Sequence, residues 1–356
     1  MLALGALVAA SSAQAATPNG FFGVVPQRPL TLEDYERMGQ AKVGTLRFEL
    51  LWAHANPSPG AYDWTAPDHV VAEAARNGVR TLPFVYSTPS WVARDLDRHR
   101  CSEDACYPFG PKSKAARDAW ADFLTAAVAR YGPDGSFWVE NPTLRRRPIR
   151  AWQLWNEQNS PSFYKPKPDV KRFAKLLKAG EKAITKADRG AEIVMGGMFG
   201  TPLQGRKPAL SAWKFLRKLY RVKGATKSFD GVAPHPYASK LKNVRAQVDL
   251  IRDEMKDAGD RNADLWITEL GWASGGPKNP LNRGRKGQAQ RLKQAFEYFE
   301  KKRKKLNVRN VDWYSWRDNL TGDANLCAWC PHSGLVDEDL TEKPSLAAFT
   351  KFTGGN

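Results

Sequence analysis

Apart from its first fifteen residues, the chain has no uncharged run approaching the roughly 18 residues that a membrane-spanning helix needs, so no transmembrane segment is expected. It has no Gly-rich dinucleotide fingerprint, no phosphate loop and no His-Glu-x-x-His pair, and no cofactor or metal is implied. Cysteine (4), histidine (5) and methionine (5) are scarce in 356 residues, so any chemistry falls mainly to carboxylates, arginine and aromatics. No internal repeat, low-complexity linker or shift in composition marks a second domain, and α/β barrels routinely use this length as one.

What is present is ordinary for a globular chain, with 42% hydrophobic and 26% charged residues, enough to bury a large core. The net charge of +18 is not ordinary. It invites an anionic partner, but the dense runs Arg145-Arg146-Arg147 and Lys301 to Lys305 fall on a loop and on the wet end of an amphipathic helix, where charge mostly serves solubility. A nucleic-acid function is therefore not expected, and attraction to an acidic polymer is the alternative to the solubility reading. No exposed heptad or apolar stripe calls for a partner subunit, and a monomer is expected.

Residues 1–15, MLALGALVAASSAQA, join an apolar run to a small polar stretch ending Ala13-Gln14-Ala15, the pattern of a signal peptide cleaved before Ala16, although no Lys or Arg precedes the run. A secreted, extracellular protein is expected. The cysteines form two close pairs, Cys101/Cys106 and Cys327/Cys330, read as local disulfides; a four-thiolate zinc site and free thiols are the rival readings.

Eight short apolar or β-branched segments recur: 21–25, 44–50, 81–86, 149–154, 192–195, 229–233, 265–268 and 311–315. Segments of helical period lie between them, most clearly 113–131, 167–188, 241–259 and 286–305. Such alternation predicts βα units, parallel strands and, with eight units, a closed α/β barrel of (β/α)8 type. In 286–305, Leu292, Phe296 and Phe299 share one face and read as packing. The interval from Tyr86 to Ile149 carries Pro89, Pro108, Pro111 and the first cysteine pair before its helix, which predicts a long third βα loop on the rim where barrel sites are built.

Two apolar strands end in carboxylates: IRAWQLWNEQN (149–159) delivers Glu157 and LWITELGWAS (265–274) delivers Glu269. Projecting from the fourth and seventh strands toward the axis, the two Glu are the minimum equipment for glycoside cleavage. The order and strand number of WNEQN and ITELGW resemble clan A of the glycoside hydrolases. RFELLWAHANPSPGAYDW (47–64), His235-Pro236-Tyr237, WYSWRDN (313–319) and GLVDEDLTEKPSLAAF (334–349) are similar to its families 39 and 5. The resemblance spans nearly the whole of residues 16–356 and implies a single-domain (β/α)8 TIM barrel.

It further implies a retaining enzyme that cleaves a poly- or oligosaccharide, with Glu157 as acid/base and Glu269 as nucleophile. Arg47 and Tyr237 would hydrogen-bond the nucleophile, Asn156 would bind a sugar hydroxyl, His235 would line the floor and Trp316 would lie under the sugar ring. Trp52, Trp91 and Trp155 also fall near strand ends, where sugar faces stack on aromatics. Each assignment has a structural rival: either Glu could pair with Arg as scaffold, and packing could claim some of the tryptophans. Asn56 before Pro57 departs from the acidic residue often carried after the strand-two Trp, which puts that loop's substrate contacts in doubt. A catalytically silent carbohydrate-binding barrel and a transglycosylase with the same covalent intermediate are the alternatives.

Overall fold

The computed structural model describes residues 17–200, 209–322 and 327–356; the signal-peptide expectation, on 1–15, lies outside them. The barrel strands are β1 (Phe22–Val25), β2 (Thr45–Leu51), β3 (Arg80–Tyr86), β4 (Ala151–Asn156), β5 (Glu192–Phe199), a sixth strand split into β6 (Gly231–Val232) and β7 (Pro234–His235), β8 (Asp264–Leu270) and β9 (Val308–Tyr314). All pair in parallel, and the sheet closes because β1 bonds both β2 and β9 while β4 bonds β5. The expected α/β architecture, a single-domain (β/α)8 TIM barrel, is what forms. The split in the sixth strand falls at Pro234, which has no N–H to give the ladder.

The helices are α1 (Leu32–Gln40), α2 (Trp52–Ala55), α3 (Thr65–Arg76), α4 (Glu103–Cys106), α5 (Lys114–Tyr131), α6 (Ser136–Glu140), α7 (Val170–Ala187), α8 (Ala212–Tyr220), α9 (Leu241–Asp257), α10 (Gly284–Leu306) and α11 (Pro344–Thr353). The four segments of clearest helical period are α5, α7, α9 and α10, each within a few residues of its expected ends. The capping box of Thr31 and Asp34 starts α1, and Ser113 caps α5. Leu292, Phe296 and Phe299 are fully buried on the inner face of α10. Phe296 stacks on Phe22 of β1 with centroids 4.3 Å apart, which fastens the last long helix to the first strand and so locks the barrel's seam.

The sulfurs are joined as local pairs, Cys101–Cys106 and Cys327–Cys330, and the zinc reading falls away because the thiols are consumed. The first bridge sits in the long third loop and the second follows β9, so both stiffen the rim at the C-terminal ends of the strands. Among the described residues no helix is long and apolar enough to cross a membrane.

Because Phe296 joins seam and helix, Phe296→Ala is expected to cost about 3–5 kcal/mol through lost burial and a cavity. A fall in the denaturant midpoint at unchanged slope would measure this, and an unmoved midpoint would exclude Phe296 as the seam's anchor.

Candidate active site

A cavity of about 1130 Å³ opens at the C-terminal ends of the strands, and Arg47, Glu49, Asn156, Glu157, Tyr237 and Glu269 are among its lining residues. Strand β4 ends abruptly there. Trp155 and Glu157 both adopt left-handed backbone conformations (φ 79° and 42°), which non-glycine residues hold only when their surroundings compel it. The compulsion comes from β5: Glu157 N–H donates to Gly197 O at 2.7 Å, Gln158 Nε2 to Gly196 O at 2.9 Å, and Asn159 Nδ2 to Phe199 O at 2.8 Å. The turn leaves Asn156 and Glu157 facing the cavity. Gly197 has a second reason to be glycine, since a Cβ there would overlap the His235 ring.

Arg47 is fully buried under this surface (0% exposed). Its Nη1 donates to Glu269 Oε1 at 2.8 Å, Nη2 to Asn156 Oδ1 at 2.9 Å and Nε to Gln153 Oε1 at 2.7 Å, while the guanidinium lies 3.9 Å over the Phe84 ring. Tyr237 Oη donates to the other oxygen of Glu269 at 2.8 Å. His235 Nδ1 lies 3.1 Å from Glu157 Oε1 and 3.4 Å from Glu269 Oε2, and its Nε2 lies 3.0 Å from Thr268 Oγ1. Ionised carboxylates only accept, so Nδ1 carries a proton toward them. Thr268 Oγ1 accepts from Gln153 Nε2 at 3.1 Å, leaving its own hydrogen for His235 Nε2. One polarised chain therefore runs Arg47–Gln153–Thr268–His235–Glu157.

The two carboxylates are pushed apart in proton affinity. Burial raises Glu157, the His235 hydrogen bond offsets this in part, and the charge of Glu269 raises it again, so its carboxyl sits above the ordinary range. Burial also raises Glu269, but His235, Arg47 and Tyr237 together outweigh it and hold the group below that range. One carboxyl is thus biased toward the protonated form and its neighbour toward the ionised one. Ligand atoms of Glu157, His235 and Glu269 lie within 4.8 Å of one another, close enough for a metal. The donor set fits a cation poorly, however, since Glu269 is already saturated by a guanidinium and a phenol.

Of the residues expected here, Glu157, Glu269, Asn156, Arg47, His235 and Tyr237 come together. The four expected tryptophans do not. Trp316 is fully buried and donates to Asp34 Oδ1 at 3.0 Å, because that buried carboxylate, which also takes Arg317, needs the donor. Trp52 is buried against Trp120 and Phe123, with its Nε1 on Asn56 Oδ1 at 3.1 Å. Trp91 donates to Asn56 O at 3.0 Å, so Asn56 is a structural knot for two indoles. Trp155, one residue before Asn156, turns away from the cavity to pack on Tyr86 and Tyr164 and donates to Phe163 O at 2.7 Å. The aromatic lining includes instead Tyr237, Tyr314 and Trp329, the last held between the second cysteine pair with its ring 5.0 Å from that of Tyr237.

Gln153, Thr268 and Glu49 lie within the segments quoted above but were assigned no role there, and Trp329 lies in none of them. The first two could have been found as polar residues interrupting otherwise apolar strands, and Glu49 as the residue two places beyond Arg47 on the same strand face.

No family model matches the sequence, and no curated protein matches it. Solved structures are similar over most of the chain. A family 39 glycoside hydrolase from Bacteroides cellulosilyticus WH2 has 20% identity and a TM-score of 0.67, with 94% of this chain and 63% of that one covered. A monomeric beta-xylosidase from Caulobacter crescentus CB15 has 17% identity and a TM-score of 0.67, over 95% of this chain and 69% of that one. Xylanase 10B from Thermotoga maritima has 14% identity and a TM-score of 0.62, over 94% and 95%. The chain thus spans less than two thirds of the family 39 protein's length. At these identities the likeness shows a common barrel fold.

Removing the buried cation tests the site's electrostatics. Arg47→Met is expected to raise the Glu269 pKa from below to above the ordinary carboxylate range and to destabilise the fold by about 3–5 kcal/mol, as for a broken buried pair. Carboxyl NMR titration and chemical denaturation read the two effects, and an unshifted Glu269 would refute Arg47's role.

Proposed function

We propose that the protein is a retaining O-glycoside hydrolase acting on a poly- or oligosaccharide. The observation that carries this reading is a pair of buried carboxyls with oxygens within 4.8 Å, one biased toward the protonated and one toward the ionised form. Retaining enzymes hold their carboxyls about 5–5.5 Å apart, whereas inverting ones need about 6.5–9.5 Å to admit a water. The close spacing supports attack by Glu269 itself.

In the first step a Glu269 oxygen forms a bond to the anomeric carbon as the glycosidic C–O bond breaks, and Glu157 gives its proton to the departing oxygen. Asn156, aimed by Arg47, offers its amide to a ring hydroxyl. Once Glu269 is esterified its charge is gone, the repulsion that helped raise Glu157 disappears, and Glu157 becomes the better base. In the second step Glu157 takes a proton from water, the water oxygen bonds the anomeric carbon and the ester bond breaks, returning Glu269 to the carboxylate. Arg47 and Tyr237 steady Glu269 as leaving group, and His235 links both carboxyls through one N–H.

Sugar release from a panel of neutral and acidic polysaccharides by the wild type, Glu157→Gln and Glu269→Gln tests the reading. Each substitution is expected to lower the rate by about 10²–10⁴-fold or more, and the first-formed sugar should keep its anomeric configuration by NMR. Equal activity in wild type and both variants would sink the assignment.

The pH profile should be bell-shaped. Activity is lost as pH falls through the depressed Glu269 pKa, where the nucleophile is protonated, and lost again as pH rises through the elevated Glu157 pKa, where the acid is spent. In Glu157→Gln the alkaline limb should vanish from the residual activity; its persistence would assign that limb to another group.

A further inference from the structure

Strand β2 places Arg47 and Glu49 on one face, so Glu49 stands about 7 Å further up the strand on the same inward side. Its neighbours in charge are neutralised: Arg47 pairs with Glu269, Arg28 with Glu338, and Glu157 bonds His235. Glu49 is exposed and has no hydrogen bond or ion pair among the described residues, and no Lys is among the described residues that line the cleft. Burial holds its carboxyl above the ordinary range; Arg47 opposes this and Glu269 adds to it. An exposed carboxylate with no protein partner on a cavity wall is free to accept hydrogen bonds from a ligand.

The position of Glu49 supplies the second observation. A further cavity of about 530 Å³ adjoins the first, and the two share Glu49, Leu51, Ala66 and Val70. The polar lining of the second cavity includes His54, Asp63 and His69 but no Lys or Arg. Glu49 therefore stands on the wall common to the cavity that holds Glu157 and Glu269 and to the adjoining one.

We propose that Glu49 is the specificity residue of a second saccharide subsite, extending from the cleft into the adjoining cavity, where it accepts hydrogen bonds from the hydroxyls of an uncharged sugar and bars a carboxylated one. This rests on the glycosidase reading and deepens it. Two hydroxyls can donate to the two oxygens of one carboxylate, and charge-assisted hydrogen bonds are the strong ones. A uronate ring there would set another carboxylate beside Glu49 and the ionised Glu269, with no unpaired cation among the described lining residues to answer it. The positive charge of the chain does not reach this place. On α7, for example, Lys171, Lys175, Lys178, Lys182 and Lys186 all point outward to solvent. The exterior can attract an acidic polymer while the cleft selects neutral sugars.

The test is calorimetric binding of xylotetraose, mannotetraose, cellotetraose, tetragalacturonate and tetraglucosamine to full-length Glu157→Gln protein, alone and with Glu49→Ala or Glu49→Lys added. A neutral tetramer is expected to bind, to weaken about 10- to 100-fold with Glu49→Ala, and to outcompete tetragalacturonate, which gains affinity only with Glu49→Lys. Thermal melting should be unchanged or raised by Glu49→Ala, since no protein partner is lost. Neutral-sugar binding indifferent to Glu49, or tighter binding of either charged tetramer to the parent, overturns the proposal while leaving the glycosidase reading standing. A parent that binds none of the five overturns both.

Discussion

The site depends on one buried cation. Arg47 has its guanidinium at the centre of the barrel mouth, out of contact with water, and a charge so placed is tolerable only if its donors are answered. Three strands answer it: Glu269 from β8, and Asn156 and Gln153 from β4, with the Phe84 ring of β3 beneath. The same contacts that satisfy the guanidinium fix the two functional side chains of β4 and β8 relative to each other. Folding and pre-organisation are here one event, because leaving any acceptor out would strand a buried donor.

From that centre the protonation pattern follows. Glu269 is held below the ordinary range because His235, the Arg47 guanidinium and the Tyr237 phenol outweigh its burial, and Glu157 sits above that range because His235 offsets its burial only in part. The imidazole between them is held in one tautomer by Thr268 and Gln153, residues that never face the cavity's contents yet decide which nitrogen carries hydrogen. The left-handed turns at Trp155 and Glu157 are the backbone cost of this arrangement, held down by hydrogen bonds to β5.

Charge and aromatic content both mislead when read as totals. The net charge of +18 describes the outer helices, not the cleft, whose one unpaired charged side chain among the described residues is Glu49. Thirteen tryptophans suggest a sugar-stacking surface, yet Trp52, Trp155, Trp272 and Trp316 are fully buried. Their large apolar area is used to pack helices on strands, and the indole N–H of each of these four finds an acceptor on the way.

The sequence by itself determined the barrel, since short apolar segments alternating with 3.6-period ones are a local property of the chain, and it determined which carboxylates end strands β4 and β8 because those strands announce themselves. Arg47, Asn156, His235 and Tyr237 were legible through motifs at strand ends. What only the tertiary structure decided is which side chains meet across the mouth. Trp316 turned to Asp34, 282 residues away in the chain, and Trp329 reached the cleft through a loop whose path no periodicity encodes. Gln153, Thr268 and Glu49 acquired their meaning in the same way. Hydrogen-bond satisfaction of buried groups is a global condition, set by residues far apart in the chain, and local patterning carries no record of it.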